Sequence, residues 1–269
     1  MGALHEGHAT LMRAAAAADD VVVATIFVNP LQFAPTDDLA AYPRDLDGDH
    51  RLAEEAGAAF LFVPSVDEMY PAGPGAVLTS VHVAGITDVL DGLARPGHFD
   101  GVATVVAKLF NIAGPCRAYF GEKDYQQLAV IRRMALDLSA PVEVVGCPTV
   151  RAADGLALSS RNRYLSDEQL RGATVLYRAL DAGRTAIEHD GVDEPGKVRE
   201  VMRAVLAAEP KVSRIDYAEV VDGSTLATPA VLAGTLRLLV AAHVGPARLI
   251  DNIGATAPVT SPVTALVTR

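Results

Sequence analysis

The chain has 269 residues, 50% of them apolar and 21% charged, with a formal net charge of −10. An acidic balance with no Lys/Arg-rich block argues against a nucleic-acid partner, whose polyanionic backbone rewards a basic face. The apolar runs are too short to span a bilayer, and two cysteines, Cys116 and Cys147, are too few for a disulfide framework, so a reduced cytoplasmic chain without membrane association is expected.

From residue 5 to about 150 helical and extended patterns alternate. His8–Ala18 is rich in Ala, Leu and Met and predicts a helix. Val21–Val28 is a continuous, largely β-branched run, the pattern of a strand buried on both faces. Asp45–Ala56 reads as a helix that starts at Asp45 and stops at Gly57. Phe60–Val63 and Val77–Val83 are further expected strands, followed by a helix over His98–Ala113, a strand at Ala118–Phe120, a helix over Tyr125–Leu138 and a strand at Val142–Val145. Strands alternating with helices predict an α/β fold with a mostly parallel sheet covered on both faces. Ligands in such sheets gather beyond the carboxyl ends of the strands. Helices over Asp167–His189 and Pro195–Ala208 come next, then strands at Ile215–Val221, Leu236–Ala242 and Arg248–Ile253 joined by short turns, which predict a small antiparallel sheet. The expected domains are therefore 1–150 and a smaller α+β domain, 151–269.

Several segments carry chemistry. His5 and His8 lie three apart at a helix start, on one face, where the helix dipole and free N–H groups favour an anion. Gly7 between them lets a ligand approach the backbone. A helix cap, a surface pair or metal ligation fits the same histidines, though no further His or Cys stands at a metal-ligand spacing. Gly121-Glu122-Lys123-Asp124 joins a strand to a helix, where Lys123 can reach a phosphate and Asp124 a ribose, and where a charged turn with Asp124 as N-cap fits equally. Of Gln126 and Gln127, one should face the site and the other solvent. Asn29-Pro30-Leu31-Gln32 ends the strongest strand, and its amides can orient a polar substrate or cap a turn. Ser159-Ser160-Arg161 supplies hydroxyl donors and a cation, or simply a polar loop before a helix that starts at Ser166. Arg44 and the Arg95-Pro96-Gly97-His98 segment are further candidates by loop position.

In this order the segments resemble the pantothenate synthetase (pantoate–β-alanine ligase) family. The likeness rests on Met1–His8, Ile26–Phe33, Tyr42–Arg44, Arg95–Val102, Tyr119–Leu128, and Pro148–Arg151 through Ser159–Leu165. It implies a Rossmann-like domain of the His-x-Gly-His nucleotidyltransferase type, with the C-terminal domain acting as a lid. The implied reaction is ATP-dependent condensation of (R)-pantoate with β-alanine through a pantoyl adenylate, releasing AMP and pyrophosphate. His5 and His8 would contact the ATP phosphates, with His8 the proton donor or charge stabiliser. Lys123, Ser159, Ser160 and Arg161 would hold the phosphates, Gly121 and Asp124 the ribose, and Val150 the adenine through its backbone. Met1, Gly2, Glu122 and Leu158 complete the implied ATP site, Leu158 standing where the family usually has methionine. Gln32 and Gln127 would bind pantoate, with Gln32 also near β-alanine. Mg²⁺ would bridge the phosphates, with no ligands assigned, and a cytoplasmic homodimer is implied. An inactive nucleotide-binding relative and a nucleotidyltransferase acting on another small molecule are the alternatives. Family members carry an apolar strand ending just before the position of Met1. The expectation is a sheet short of one strand and a weakly folded chain, relieved by an extension of roughly 20–40 residues.

Overall fold

The computed structural model describes residues 2–33, 39, 42 and 44–258. The chain divides into two compact units, Met1–Arg163 and Tyr164–Arg269. The division falls later than 150/151 because residues past 150 fold back within the first unit. Arg151 bridges Ala157, and Leu158 N donates to Val150 O at 2.9 Å.

In the first unit, helix α1 (Glu6–Ala18) buries Ala9, Met12 and Ala15 along one stripe. Ala9 and Met12 pack on Ala53 and Ala56 at the end of α2 (Leu46–Glu55), with Leu4, Ala24 and Leu61 closing the cluster. Asp45 caps α2 by accepting from Gly48 N at 3.0 Å. Strands β1 (Val23–Thr25) and β2 (Phe60–Phe62) pair in parallel. The short helices α3 (Val66–Met69) and α4 (Asp91–Ala94) precede α5 (His98–Ala113), whose Phe99, Val102, Ala103, Val105, Val106 and Phe110 are buried. Strand β3 (Cys116–Gly121) crosses through α6 (Tyr125–Asp137) to its parallel partner β4 (Val142–Cys147). Leu128, Val130, Ile131 and Met134 bury the inner face of α6.

Three expectations need correction. Val21–Val28 contributes only the three residues of β1, and Val21 and Val23 are 59% and 55% exposed, so the run is not covered on both faces. Its β-branched composition favours extended backbone, but among the described residues only β2 extends that backbone into a ladder. Accordingly the parallel strands form two separate pairs, β1–β2 and β3–β4. Val77–Val83 is not a strand. A 3-10 turn at Pro74–Ala76 interrupts the approach, Leu78 is fully exposed, and Val81 N donates to Thr104 Oγ1 at 2.9 Å rather than to a ladder. Asp167–His189 is two helices, α7 (Asp167–Ala173) and α8 (Val175–Glu188), parted at Thr174. Gly172 there lies so close to Lys211 that a Cβ would stand 2.9 Å from its side chain.

The second unit is built on an antiparallel meander of β5 (Val212–Asp222), β6 (Gly234–Val244) and β7 (Ala247–Ala257). Gly245, at φ 55°, makes the tight turn between the last two. Helix α8 packs against β6 and β7, and α9 (Pro195–Ala207) against β5. Ser166 and Gln169 form a capping box that starts α7.

At Gly183 of α8 a Cβ would stand 2.7 Å from Leu238 Cδ2 and 2.8 Å from Met202 Cγ, so the glycine is what lets α8, α9 and β6 meet. Gly183→Val should overpack this junction and cost about 1–3 kcal/mol, read as a lower urea midpoint. An unchanged or raised midpoint would show that the junction has slack.

Candidate active site

Helix α1 begins with an unusual cap. His5 is the N-cap residue, and its Nδ1 accepts from Gly7 N at 3.1 Å. His8, three residues on, accepts reciprocally at its own Nδ1 from His5 N at 3.2 Å. This is a capping box in which imidazoles replace the usual hydroxyl and carboxamide. The rings lie 4.1 Å apart between centroids. Because both Nδ1 atoms accept backbone N–H groups, each neutral ring carries its proton on Nε2 and presents that N–H as a donor. Burial, reinforced by neighbouring His5, pushes His8 down to about 3. Burial and then Lys123 also lower His5. Both rings are therefore neutral donors at neutral pH, not imidazolium acids. Gly7 is required here, since a Cβ would stand 2.9 Å from the His5 ring.

Lys123 and Asp124 follow the carboxyl end of β3 in a 3-10 turn that leads into α6. Lys123 Nζ lies 3.3 Å from Asp124 Oδ1, and its side chain is only 17% exposed. Desolvation works against the Asp124 carboxylate, but Lys123 and then Arg161 outweigh it and hold its pKa below the ordinary value. Asp124 makes no side-chain cap to α6. Gly121 has ordinary backbone angles, and a Cβ there would meet only Leu11 Cδ2 at 4.0 Å, so this position leaves open space beside the strand end. Ser159 Oγ accepts from Arg161 N at 3.3 Å, which turns the chain into a 3-10 segment over Ser160–Tyr164 and leaves Arg161 exposed. Val150 O is taken by Leu158 N at 2.9 Å, so only its second lone pair is left to accept another donor. Gly2 is buried, and Glu122 and Leu158 are half-buried. Met1 and Pro43 lie outside the described residues.

A second network surrounds Gln32. Asn29 is buried, accepts from Tyr70 Oη at 2.7 Å, and donates to Gly101 O at 3.0 Å and Gln32 Oε1 at 3.4 Å. His98 Nδ1 donates to Gln32 O at 2.7 Å, which leaves Nε2 to accept from Arg95 at 3.1 Å. Burial, followed by Arg95, lowers the His98 pKa, while burial pushes Tyr70 up to about 12. Gly101 fits against Leu31, where a Cβ would stand 2.2 Å from the carbonyl oxygen. Asp124 acts electrostatically on His5, His8 and His98, so the histidine cap and the Gln32 network share one carboxylate.

Not every candidate joins this cluster in the expected way. Gln126 faces neither a ligand nor solvent: it is buried and tied to Asp91 N, Ile86 O and Val89 O at 3.0, 2.8 and 2.7 Å. Gln127 is half-buried in the first turn of α6. Arg44 donates to the Leu39 and Tyr42 carbonyls, both at 3.3 Å. Asp49 and Tyr70 carry no signal of a role in the sequence, because each acts through partners distant along the chain. The nearest signal for Asp49 is an acidic residue on an amphipathic helix, which ordinarily marks a solvated face.

Two neutral imidazole donors, a lysine beyond a parallel strand end and a basic loop define the class: an α/β enzyme that handles a phosphorylated substrate. The chain belongs to the pantoate-beta-alanine ligase family, whose model matches residues 1–254. It is 54% identical over 253 residues to the pantothenate synthetase of Moorella thermoacetica, covering 94% of this chain and 88% of the relative. It is 55% identical to that of Deinococcus radiodurans, covering 97% and 94%. The crystal structure of the pantothenate synthetase from Thermus thermophilus superposes with a TM-score of 0.87 at 50% identity, over 94% of this chain and 90% of that one. The ligase from Francisella tularensis, solved in complex with Beta-gamma ATP and Beta-alanine, superposes at 0.75 with 32% identity, over 94% and 86%. The chain is thus a ligase that joins pantoate to β-alanine with ATP, and neither alternative reading is favoured.

The histidine cap makes stability acid-sensitive. Unfolded His8 binds a proton near pH 6.5 but folded His8 only at about 3, so unfolding takes up a proton in between and stability falls as pH drops through that window. From pH 7.5 to 5 this amounts to about 2 kcal/mol. His8→Gln keeps a cap acceptor and should lose that much less between the two pH values in urea unfolding. Equal acid sensitivity of variant and parent would show that His8 is not held neutral.

Proposed function

We propose that the ligation proceeds through a pantoyl adenylate. A pantoate carboxylate oxygen attacks the α-phosphorus of ATP and pyrophosphate leaves. The β-alanine amine then attacks the acyl carbon, loses a proton and expels AMP. The observation that carries this reading is the Nδ1-accepting histidine pair, which directs two Nε2–H donors outward in electrostatic reach of Lys123. Fixed donors aimed at phosphate oxygens stabilise the charge that develops on departing pyrophosphate. In this reading His8 donates a hydrogen bond and transfers no proton. Lys123 and Arg161 neutralise phosphate charge, and Ser159 and Ser160 donate hydroxyls. Asp124 and Gly121 receive the ribose, Val150 the adenine, and Gln32 and Gln127 the pantoate, with Gln32 also near the β-alanine amine.

Among the described residues no group of three His, Cys, Asp or Glu side chains is placed to hold a metal ion. Mg²⁺ fits this donor set as an ion carried on the ATP phosphates and water, the usual manner for this cation, with Asp124 the carboxylate nearest the phosphate-binding groups. Bound there, it would neutralise phosphate charge. Among the described residues no helix is long and apolar enough to cross a membrane. A cytoplasmic homodimer belongs to the same proposal on the strength of family likeness.

The test is pyrophosphate–ATP exchange in the absence of β-alanine, which should depend on pantoate. Lys123→Ala and His8→Ala should each slow this exchange about a hundredfold, the effect of losing one donor to developing charge, on the order of 3 kcal/mol. Turnover of preformed pantoyl adenylate with β-alanine should be largely spared. Exchange without pantoate, ADP as product, or equal losses in both half-reactions would overturn the proposal.

A further inference from the structure

Asp49 is a buried acid that the proposed chemistry leaves unused. It lies on α2, is 3% exposed, and turns both carboxylate oxygens to the segment just ahead of α1. Oδ2 accepts from Ala3 N at 3.0 Å and Oδ1 from Leu4 N at 2.5 Å. These are the two peptide groups immediately before His5. Ala3 has φ 51°, in the left-handed region that a residue with a Cβ adopts only when its surroundings hold it there. The helices themselves are already packed together through Ala9, Met12, Ala53 and Ala56. What the carboxylate adds is therefore the direction in which the chain enters the cap. From Ala3 onward the chain is fastened link by link: Asp49 holds Ala3 and Leu4, His8 holds His5 N, and His5 holds Gly7 N.

We propose that Asp49 is a positioning residue for the adenylation half-reaction, its carboxylate locking the Ala3–Leu4 turn so that the His5 and His8 Nε2–H donors meet the ATP phosphates. This rests on the phosphate-binding reading of the two histidines. The role requires a carboxylate. An amide of the same shape has one acceptor oxygen, and its NH₂ would oppose a backbone N–H that cannot accept. A donor facing a buried donor costs more than a bond merely lost.

Asp49→Asn preserves volume and is the direct test, with Asp47→Asn, at an exposed position on the same helix, as control. The expected result is a KM for ATP raised, and pantoate-dependent exchange slowed, by about tenfold or more. The β-alanine step from preformed adenylate should stay within about twofold of the parent, and Asp47→Asn should match the parent throughout. Amide hydrogen exchange over residues 2–8 should accelerate about tenfold or more in Asp49→Asn, with β3 and β4 unchanged. An unaltered KM for ATP with unaltered exchange kinetics would overturn the proposal. So would a parallel fall in both half-reactions, or unchanged amide protection over residues 2–8. If the parent itself shows no pantoate-dependent exchange, the adenylate reading falls on its own, and amide protection still decides whether Asp49 anchors the turn.

Discussion

A helix must satisfy the N–H groups of its first turn, and α1 does so with the ring nitrogens of His5 and His8. Nearly everything specific about this site follows from that choice. Occupying both Nδ1 atoms fixes the tautomer of each ring, so both Nε2 atoms carry protons and face away from the helix backbone. Protonating either ring at Nδ1 would break the cap, and burial adds its own penalty, which keeps His8 neutral well below its usual range. Gly7 follows from the same constraint, because the His5 ring occupies the space that a Cβ would need. A neutral donor suits a dense array of phosphate charge, since it stabilises without being consumed as an acid.

The rest of the first unit supplies charge and alignment around this cap. The turn after β3 places Lys123 and Asp124 together, and Asp124 feels Lys123, Arg161 and His8 at once. On the other side, Asn29 is held by Tyr70 and Gly101, and His98 fixes the Gln32 backbone. Gln126 fastens α6 to the 86–91 loop, whose Leu90 has a left-handed φ of 51°. The side chains of both networks are thus set by buried polar bonds, whose partners cannot be exchanged for water without loss.

Much of this was legible in the sequence where the cause is local. The α5 helix spans His98–Ala113 as its sequence predicts, and Asp45 as the start of α2 follows from cap chemistry. The spacing of His5 and His8 sufficed to put both on one helix start. What sequence could not supply were effects decided at a distance. Val77–Val83 has strand composition but meets the Thr104 hydroxyl instead of a ladder. Thr174 interrupts a helical pattern where Gly172 meets Lys211, far along the chain. Asp49 lies 46 positions from Ala3, so its role is visible only once α2 is packed on α1. The neutrality of His8, too, depends on burial, which no spacing rule reports.

His5 and His8 cap their helix through Nδ1 and stand as neutral Nε2–H donors. ¹⁵N NMR of the histidine side chains tests it most directly, since ring-nitrogen shifts report tautomer and charge for each residue. The expected result is protonated Nε2 and unprotonated Nδ1 in both rings at pH 7, with His8 staying neutral until about pH 3. A His8 ring that carries its proton on Nδ1, or that titrates near 6.5, would contradict it.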